Sequence, residues 1–292
     1  LESTEFIGYD QEKSESIIKK IIINNKDVQN INIGDEGVII LNQTPFYGES
    51  GGQIGDKGSL YSDKFVFAVS NTTKIFGSFF LHWGKVIKGT GHTGDQVTAS
   101  INAKKRNLIR NNHSATHLLH ESLRQILGNH VTQKGSLVND EKLRFDFSHN
   151  DPIDNIDLEK IEKIVNKIIL QKSSVTTEIL NQQSAIDEGA IALFGEKYED
   201  EVRVITMGTN SDNYFFSKEL CGGTHVKNTG DIKKFKITNQ SSVASGIRRL
   251  EAVTNIGVDN YKSDQLIKEK EKNIKIENEI NKYLNLIKMT NP

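Results

Sequence analysis

The sequence predicts an α+β protein, in which a small β-barrel is followed by an α+β region and a C-terminal helix. Short β-prone runs separated by turns fill the first hundred residues, and a long amphipathic helix begins near residue 103. Strand-like segments return after that helix. We therefore expect a β-barrel domain over residues 1–101, an α+β domain over 102–258 and the start of a C-terminal helical segment over 259–292.

The barrel is predicted from a regular alternation of strands and turns. Four β-prone runs lie between Gly- and Asp-containing breaks, at residues 38–41, 65–69, 79–81 and 97–101. This spacing is typical of a small barrel of short strands.

The second region mixes helices with strands. Ala115, Leu119, Leu123 and Ile126 form one apolar stripe of a helix over Ala103–Leu127. A second helix is expected over residues 158–171, with Ile161, Ile164, Val165 and Ile168 on one face. The strand-like segments are residues 143–147, 202–206, 214–216, 235–238 and 249–253.

The C-terminal segment has an apolar seam among Lys, Glu and Asn residues. Ile276, Ile280, Tyr283 and Ile287 recur at spacings of four, three and four. Such a seam is typical of a coiled coil or of a helix packed on a partner, so we expect a homo-oligomer formed through this helix.

Two pairs of residues have the spacing of metal ligands. His113 and His117 lie one helical turn apart, and Cys221 and His225 follow about a hundred residues later. Three imidazoles and a thiolate are the ligands that Zn²⁺ prefers. The pairs thus predict one Zn²⁺ per chain. His120 shares the histidine stripe but has no second partner, so we interpret it as part of a solvated helix face.

The residues around the ligands narrow the chemistry. Gly222 and Gly223 are expected to let the backbone turn tightly, so that Cys221 and His225 converge. A lone cysteine could instead be a small buried residue or a nucleophile. Metallopeptidase chemistry is disfavoured, because Ser114 stands where a His-Glu-x-x-His enzyme places its general base.

Composition sets limits on the class of protein. The chain has 292 residues, a formal net charge of -1 and one cysteine, so it is no disulfide scaffold and no uniformly basic nucleic-acid binder. No apolar run approaches the length of a membrane span. The chain begins at Leu1 with neither a signal peptide nor an initiator methionine. We expect a cytoplasmic protein, a fragment of a longer one, with no membrane partner.

Basic residues cluster near both ligand pairs. The clusters are Lys104, Lys105 and Arg106 with Arg110; Lys233 and Lys234 with Lys236; and Arg248 with Arg249. Each alone is typical of a solvated surface. Their positions beside both ligand pairs favour a rim that contacts phosphates.

Eight short motifs follow one another along the chain. They are Thr44-Pro-Phe-Tyr47, Glu49-Ser-Gly-Gly-Gln53, Asn112-His-Ser-Ala-Thr-His-Leu-Leu119, Thr132-Gln-Lys-Gly-Ser-Leu137, Arg144-Phe-Asp-Phe-Ser-His149, Ala192-Leu-Phe-Gly-Glu-Lys-Tyr198, Leu220-Cys-Gly-Gly-Thr-His-Val226 and Gly246-Ile-Arg-Arg-Leu-Glu-Ala-Val253. In this order they resemble alanyl-tRNA synthetase of the bacterial type, from its barrel, through its editing domain, to the start of its oligomerisation helix.

The resemblance implies a zinc-containing editing domain that deacylates Ser-tRNA(Ala) and Gly-tRNA(Ala). The positions that match the family's zinc ligands are His113, His117, Cys221 and His225. Gln133 matches a residue near the substrate and is the candidate catalytic residue. Thr132 and Asp146 are weaker candidates, and Gly51-Gly52 matches a glycine motif expected near the acceptor end.

The implied partner is the acceptor arm of tRNA(Ala), with its G·U wobble pair. The candidate tRNA-binding residues are Arg110, Lys134, Arg248 and Arg249. ATP, Mg²⁺ and alanine activation belong to an aminoacylation half that is absent from this chain.

Two alternatives stay open at this point. Freestanding alanyl-tRNA editing proteins share both ligand motifs, and a non-catalytic tRNA-binding module could carry a structural zinc. The sequence supplies no obvious general base, and a closed set of four ligands is typical of structural zinc, whereas catalysis needs an open position.

Overall fold

The computed structural model describes residues 2–192, 200–210, 212 and 214–290, with side chains up to residue 285. The strands are β1 (Glu5–Phe6), β2 (Lys13–Ile23), β3 (Lys26–Val28), β4 (Asn30–Asn32), β5 (Glu36–Leu41), β6 (Gln43–Thr44), β7 (Gly58–Tyr61), β8 (Val66–Ile75), β9 (Phe79–Lys88), β10 (Thr90–His92), β11 (Gln96–Ile101), β12 (Gln133–Val138), β13 (Leu143–Ser148), β14 (Thr176–Asn181), β15 (Glu201–Thr209), β16 (Phe215–Leu220), β17 (Phe235–Ala244) and β18 (Ile247–Thr254). The helices are α1 (Ala103–Leu127), α2 (Asn155–Leu170), α3 (Gln182–Asp187) and α4 (Ile256–Thr290), with a 3₁₀ turn at Thr229–Ile232.

The first region is a closed barrel of six strands, in the order β11-β7-β8-β9-β5-β2, with β11 pairing back onto β2. Its interior is filled by aliphatic and aromatic side chains, among them Ile18, Ile39 and Phe67, none of which is exposed. The four predicted runs fall on β5, β8, β9 and β11, although β8 begins one residue later than expected. The barrel is thus confirmed within an α+β fold.

The longest barrel strand, β2, was not predicted. Its buried positions alternate with exposed ones as far as Ile18, but two of them are Ser14 and Ser16, and the exposed ones include Lys13 and Glu15. The strand therefore carries a weak hydrophobic signal at its start, and a register shift between Ile18 and Lys20 interrupts the alternation after it.

Helix α1 has the predicted bounds and begins at a cap, where the side chain of Asn102 accepts a hydrogen bond from the backbone N–H of Lys105. Its apolar stripe packs into the main core. The histidine stripe is also buried, because the barrel and β16 cover it: His120 is 1% exposed. The interpretation of His120 as part of a solvated face is wrong.

The second region contains two antiparallel sheets. The sheet β12-β13-β18-β17 packs against α1 and α2 around the main core, and β14-β15-β16 forms the other sheet. Four of the five predicted strand segments lie inside strands, and the fifth begins one residue late, at Phe215. Helix α2 begins three residues earlier than predicted, at Asn155. The motif ending at Tyr198 lies outside the described residues apart from Ala192.

The C-terminal helix α4 begins at Ile256 and presents its seam to solvent. Ile276, Ile280 and Tyr283 are 45%, 51% and 65% exposed, and the side chain of Ile287 lies outside the description. A partner for this seam stays a prediction. Within the described residues, no helix combines the length and the apolar character needed to cross a membrane.

Candidate metal centre and adjoining cavity

The four candidate ligands converge between α1 and the loop that follows β16. Their ligand atoms all lie within 4.8 Å of one another. Cys221 Sγ is 3.4 Å from Nε2 of His113 and 3.3 Å from Nε2 of His225. His117 lies one turn along α1, with its ring 5.3 Å from that of His113. This cluster could hold a metal ion; the identity of the metal stays a prediction.

Each of the three imidazoles is held from behind through Nδ1. Gln53 Oε1 is 2.7 Å from His113 Nδ1, and Glu219 Oε2 is 2.7 Å from His117 Nδ1. The hydroxyl of Ser114 lies 3.2 Å from Nδ1 of His225. Metal-binding histidines are usually oriented in this way by a second hydrogen bond, which leaves Nε2 for the ion.

Two further observations indicate that these four side chains could bind a metal ion. Nε2 of His117 is buried and makes no hydrogen bond to any described residue. Burial opposes ionisation of Cys221, but His113, His225 and His117 together hold the pKa of the thiol well below its usual range. A thiolate beside an unpaired imidazole nitrogen is a donor arrangement that suits a borderline-soft cation.

A buried carboxylate joins the ligand His117 to His120. The second oxygen of Glu219 is 3.0 Å from His120 Nδ1, and the carboxylate is 2% exposed. Burial works against its charge, yet the two histidines lower the pKa of Glu219 below its usual range. Burial likewise opposes protonation of His117, but the charge of Glu219 raises its pKa to about 10 in the metal-free cluster. Glu219 therefore carries a negative charge next to the candidate site.

The two glycines of the cysteine loop act differently from the prediction. Neither Gly222 nor Gly223 adopts the positive φ that favours glycine. A Cβ on Gly223 would overlap the ring of His113, whereas Gly222 faces open space. Close approach of the loop to α1, rather than a left-handed turn, is what requires glycine at position 223.

Arg203 and Tyr9 support the cysteine loop from outside. Arg203 donates to the carbonyl oxygens of Cys221 at 3.0 Å and Gly223 at 2.9 Å. Its guanidinium lies 4.1 Å from the centre of the Tyr9 ring, and the Tyr9 hydroxyl donates to the carbonyl of Gly222 at 2.7 Å. The loop is thus held by β15 and by the N-terminal segment together.

A cavity of about 420 Å³ opens beside the cluster. Its walls come from both regions: Tyr9, Tyr47 and Lys74 from the N-terminal side, and His113, His117, Cys221 and Gln133 from the α+β side. A cavity of this size falls within the range of small-molecule sites.

The predicted site residues are distributed unequally around this cavity. Gln133 lines it, at the start of β12. The hydroxyl of Thr132 lies 2.9 Å from that of Ser148, at the sheet end. Asp146 accepts two hydrogen bonds of 2.7 Å from Arg249. Arg249 is therefore paired within the sheet.

The remaining candidates for tRNA binding lie elsewhere. Arg110 donates to Glu12 Oε1 at 2.7 Å and lines a second, polar cavity behind α1. Arg248 has a buried Nε without a hydrogen-bond partner among the described residues. Lys134 lies on β12 next to the half-exposed Gln133, and its side chain is exposed. Contact of these residues with tRNA stays a prediction.

Sequence reasoning missed Gln53 and Glu219 as functional residues. Gln53 stood in a motif used only for the family resemblance, and Glu219 lies two residues before a ligand without any ligand spacing of its own. Their partners are 60 and 102 residues away in the chain. The strand sequence did not single out Glu219, because Ser217 and Lys218 beside it in β16 are polar as well.

Two family models of aminoacyl-tRNA synthetases match separate parts of the chain. A family model described as class II (A) tRNA synthetases matches residues 1–105. One described as the second additional domain of threonyl and alanyl tRNA synthetases matches residues 202–251, the stretch that holds Glu219, Cys221 and His225. An alanine–tRNA ligase of Mesorhizobium japonicum is 50% identical over 256 residues, which make up 86% of this chain and 29% of that protein. The chain thus spans less than a third of the relative's length.

Proposed function

The chain is a homologue of the alanine–tRNA ligases, and on that premise we propose that it hydrolyses mischarged tRNA(Ala), releasing serine from Ser-tRNA(Ala) and glycine from Gly-tRNA(Ala). The observation that carries the proposal is the position of the His₃Cys cluster. His113, His117 and Cys221 all line the 420 Å³ cavity, so a bound metal ion would lie at its wall and within reach of a small ester.

The chemistry of alanine selection supplies the need for such a site. A pocket built for a methyl group cannot exclude glycine, which is smaller, and it has little leverage against the single hydroxyl of serine. A second site that hydrolyses the wrong ester restores accuracy. The proposed substrate is therefore the aminoacyl ester at the end of tRNA(Ala).

Zinc is the proposed metal, held by His113, His117, Cys221 and His225. Bound there, Zn²⁺ supplies Lewis acidity toward water and toward an ester carbonyl. Gln53, Ser114 and Glu219 orient the imidazoles. Gln133 also lines the cavity, and its proposed role is to offer an amide to the aminoacyl group.

The partner surface follows from the same assignment. We propose that the acceptor arm of tRNA(Ala) reaches the cavity, with Arg110, Lys134, Arg248 and Arg249 contacting its phosphates. A longer protein containing this chain would attach alanine to tRNA(Ala) with ATP and Mg²⁺, and α4 would join its copies. A cytoplasmic location is part of the same proposal.

A non-catalytic tRNA-binding module is the second candidate, because four protein ligands fill the coordination shell of a structural zinc. A freestanding deacylase is the third; the alignment with 29% of a longer ligase favours a piece of a ligase over it. The two enzymes differ in whether the gene continues into an aminoacylation domain.

The deciding experiment incubates the purified chain with Ser-tRNA(Ala) and follows release of serine, with Ala-tRNA(Ala) as the specificity control. Cys221→Ala is the matched variant. It removes the only anionic ligand and leaves three neutral imidazoles with a weaker hold on the metal. We expect rapid release by the unsubstituted chain and none above background by the variant.

Two results would contradict the proposal. Binding of tRNA(Ala) without serine release would favour the binding module. Full hydrolysis and full zinc content in Cys221→Ala would place the active centre elsewhere.

A further inference from the structure

We propose that Gln53, a barrel residue, is a positioning residue of the metal centre: it holds His113 in the tautomer that presents Nε2 to the ion. The barrel would then complete the centre instead of only flanking it. This inference rests on the proposed metal binding and adds a structural dependence that the ligand set alone does not contain.

The orientation of the Gln53 amide is determined by its partners. Its Oε1 accepts a hydrogen bond of 2.9 Å from the backbone N–H of Thr224, and a backbone N–H can only donate. Its Nε2 donates to the Thr224 hydroxyl, also at 2.9 Å. The side chain has no exposed surface, so both bonds are sheltered from water. The oxygen Oε1 therefore faces His113 on α1.

This orientation dictates where the proton of His113 resides. Nδ1 of His113 lies 2.7 Å from the same Oε1, which has no hydrogen to give, so Nδ1 must carry the proton. The neutral ring then has its lone pair on Nε2. That nitrogen is 3.4 Å from Cys221 Sγ, on the side where the other ligands converge.

The barrel loop that carries Gln53 is joined to the edge of the α+β sheet. Val138 at the end of β12 donates to the carbonyl of Gly52 at 2.7 Å, and Ile54 donates to the carbonyl of Val138 at 3.1 Å. Gly52 has a φ of +83° and lies so close to Ser136 that a Cβ would overlap its backbone. The loop therefore acts as an additional short strand, which fixes Gln53 relative to α1.

A buried ion pair reinforces this joint. Arg106, at the start of α1, donates to Asp56 through Nε at 3.0 Å and to the carbonyl of Gly8 at 2.7 Å. Both partners of the ion pair are almost fully buried, at 0% and 2% exposure. The barrel and α1 are thus joined on both sides of Gln53. A shift of the barrel relative to α1 would therefore change the orientation of His113.

The test compares three variants of the full chain. Gln53→Leu removes the acceptor at similar volume. Gln53→Glu restores an acceptor toward Nδ1 and Thr224. Gln43→Leu is the control: Gln43 lies on β6 in the same N-terminal region, and its side chain donates to the Glu15 carbonyl, away from the four ligands. Far-UV circular dichroism and thermal melting establish that each variant is folded.

Two readouts are used. Nitrogen-15 spectra of metal-free, histidine-labelled protein, recorded where the ring is neutral and assigned by His113→Gln, report the tautomer. Competition titration with Zn²⁺ reports affinity. We expect Nδ1–H in the unsubstituted chain, loss of that state with roughly 10–100-fold weaker Zn²⁺ binding in Gln53→Leu, and recovery of both in Gln53→Glu.

The outcomes separate this inference from the proposed function. An Nε2–H tautomer in the unsubstituted metal-free chain overturns the inference whatever the metal does, and so does Zn²⁺ affinity in Gln53→Leu equal to that of Gln43→Leu. Absence of Zn²⁺ binding by the unsubstituted chain instead overturns the proposed metal. If Gln53→Leu does not fold, the tautomer of the unsubstituted chain and the Gln53→Glu affinity still decide.

Discussion

Glu219 lies behind His117, with its Oε2 2.7 Å from His117 Nδ1 and both side chains buried. A carboxylate in this position fixes the orientation of the imidazole and makes Nε2 a stronger electron donor. The same carboxylate reaches His120, so one negative charge organises two rings of α1.

We predict that Glu219→Gln weakens Zn²⁺ binding about tenfold or more. An amide can accept from one histidine through its oxygen, but its nitrogen cannot accept from the other. Glu121→Gln is the control, since Glu121 is also a glutamate near this cluster but hydrogen-bonds Gln125 on α1. Competition titration gives both affinities; equal values for the two variants would show that Glu219 does not support the ligand.

Gln133→Ala is expected to keep zinc bound and to slow hydrolysis of Ser-tRNA(Ala). Gln133 lines the cavity and is outside the four-ligand cluster, so its loss affects substrate and not metal. The expected cost is about 1–3 kcal/mol in transition-state stabilisation if a buried partner is left unpaired. Single-turnover deacylation and elemental analysis provide the measurements. Loss of zinc, or an unchanged rate, would contradict the assigned role.

The buried pair of Asp56 and Arg106 should dominate the stability of the joint between barrel and α1. Asp56→Ala leaves a fully buried guanidinium without its carboxylate, which costs about 3–5 kcal/mol. Asp27→Ala breaks the exposed pair with Lys20 and should cost less than about 1 kcal/mol. Urea unfolding compares the two; similar losses would mean that the buried pair is replaceable by water.

His82 is predicted to contribute to acid unfolding. Burial lowers its pKa from 6.5 to about 4, while Thr44 and the Ile39 carbonyl occupy its two ring nitrogens. The unfolded chain therefore takes up this proton more readily than the folded one, so stability is complete above pH 6.5 and falls as the pH drops toward 4. The full loss from this group is about 3 kcal/mol.

The measurement for His82 is the free energy of unfolding between those two pH values. His82→Gln lacks the titrating group. Between the two pH values, its free energy of unfolding should therefore fall by about 3 kcal/mol less than that of the unsubstituted chain. Parallel curves would assign the acid sensitivity to other groups.

Replacement of Arg248 and Arg249 by alanine should weaken binding of tRNA(Ala) and leave the zinc content intact. Each lost phosphate contact should also reduce the slope of log affinity against log salt by about one. Replacing Lys160 and Lys163 on the exposed face of α2 removes the same charge and is the control. Because Arg249 is bonded to Asp146, an unchanged affinity would assign the pair to the sheet alone.

Much of the fold could be predicted because its signals are local. The strand runs of the barrel follow from β-prone segments between turn residues and the bounds of α1 from its apolar periodicity, each readable within a short stretch of chain. Strand β2 escaped because Ser14 and Ser16 occupy inward positions, where apolar residues produce the signal. The burial of His120 was missed for the opposite reason. A polar stripe on a helix predicts exposure to solvent, and only the packing of β16 over α1 buries this residue.

The sequence by itself determined the candidate ligands, because their spacing is a property of one helical turn and one short loop. Tertiary structure alone decided what stands behind them. Gln53, Glu219 and Ser114 each reach a ligand or its loop across 60 or more residues, and no local period links such partners. It also decided that Gly223 must be glycine, since the constraint is the ring of His113 and not the local backbone. The ligands can be recognised from their short-range spacing in the sequence. Their orientation depends on contacts that form only when the barrel and the α+β region pack together.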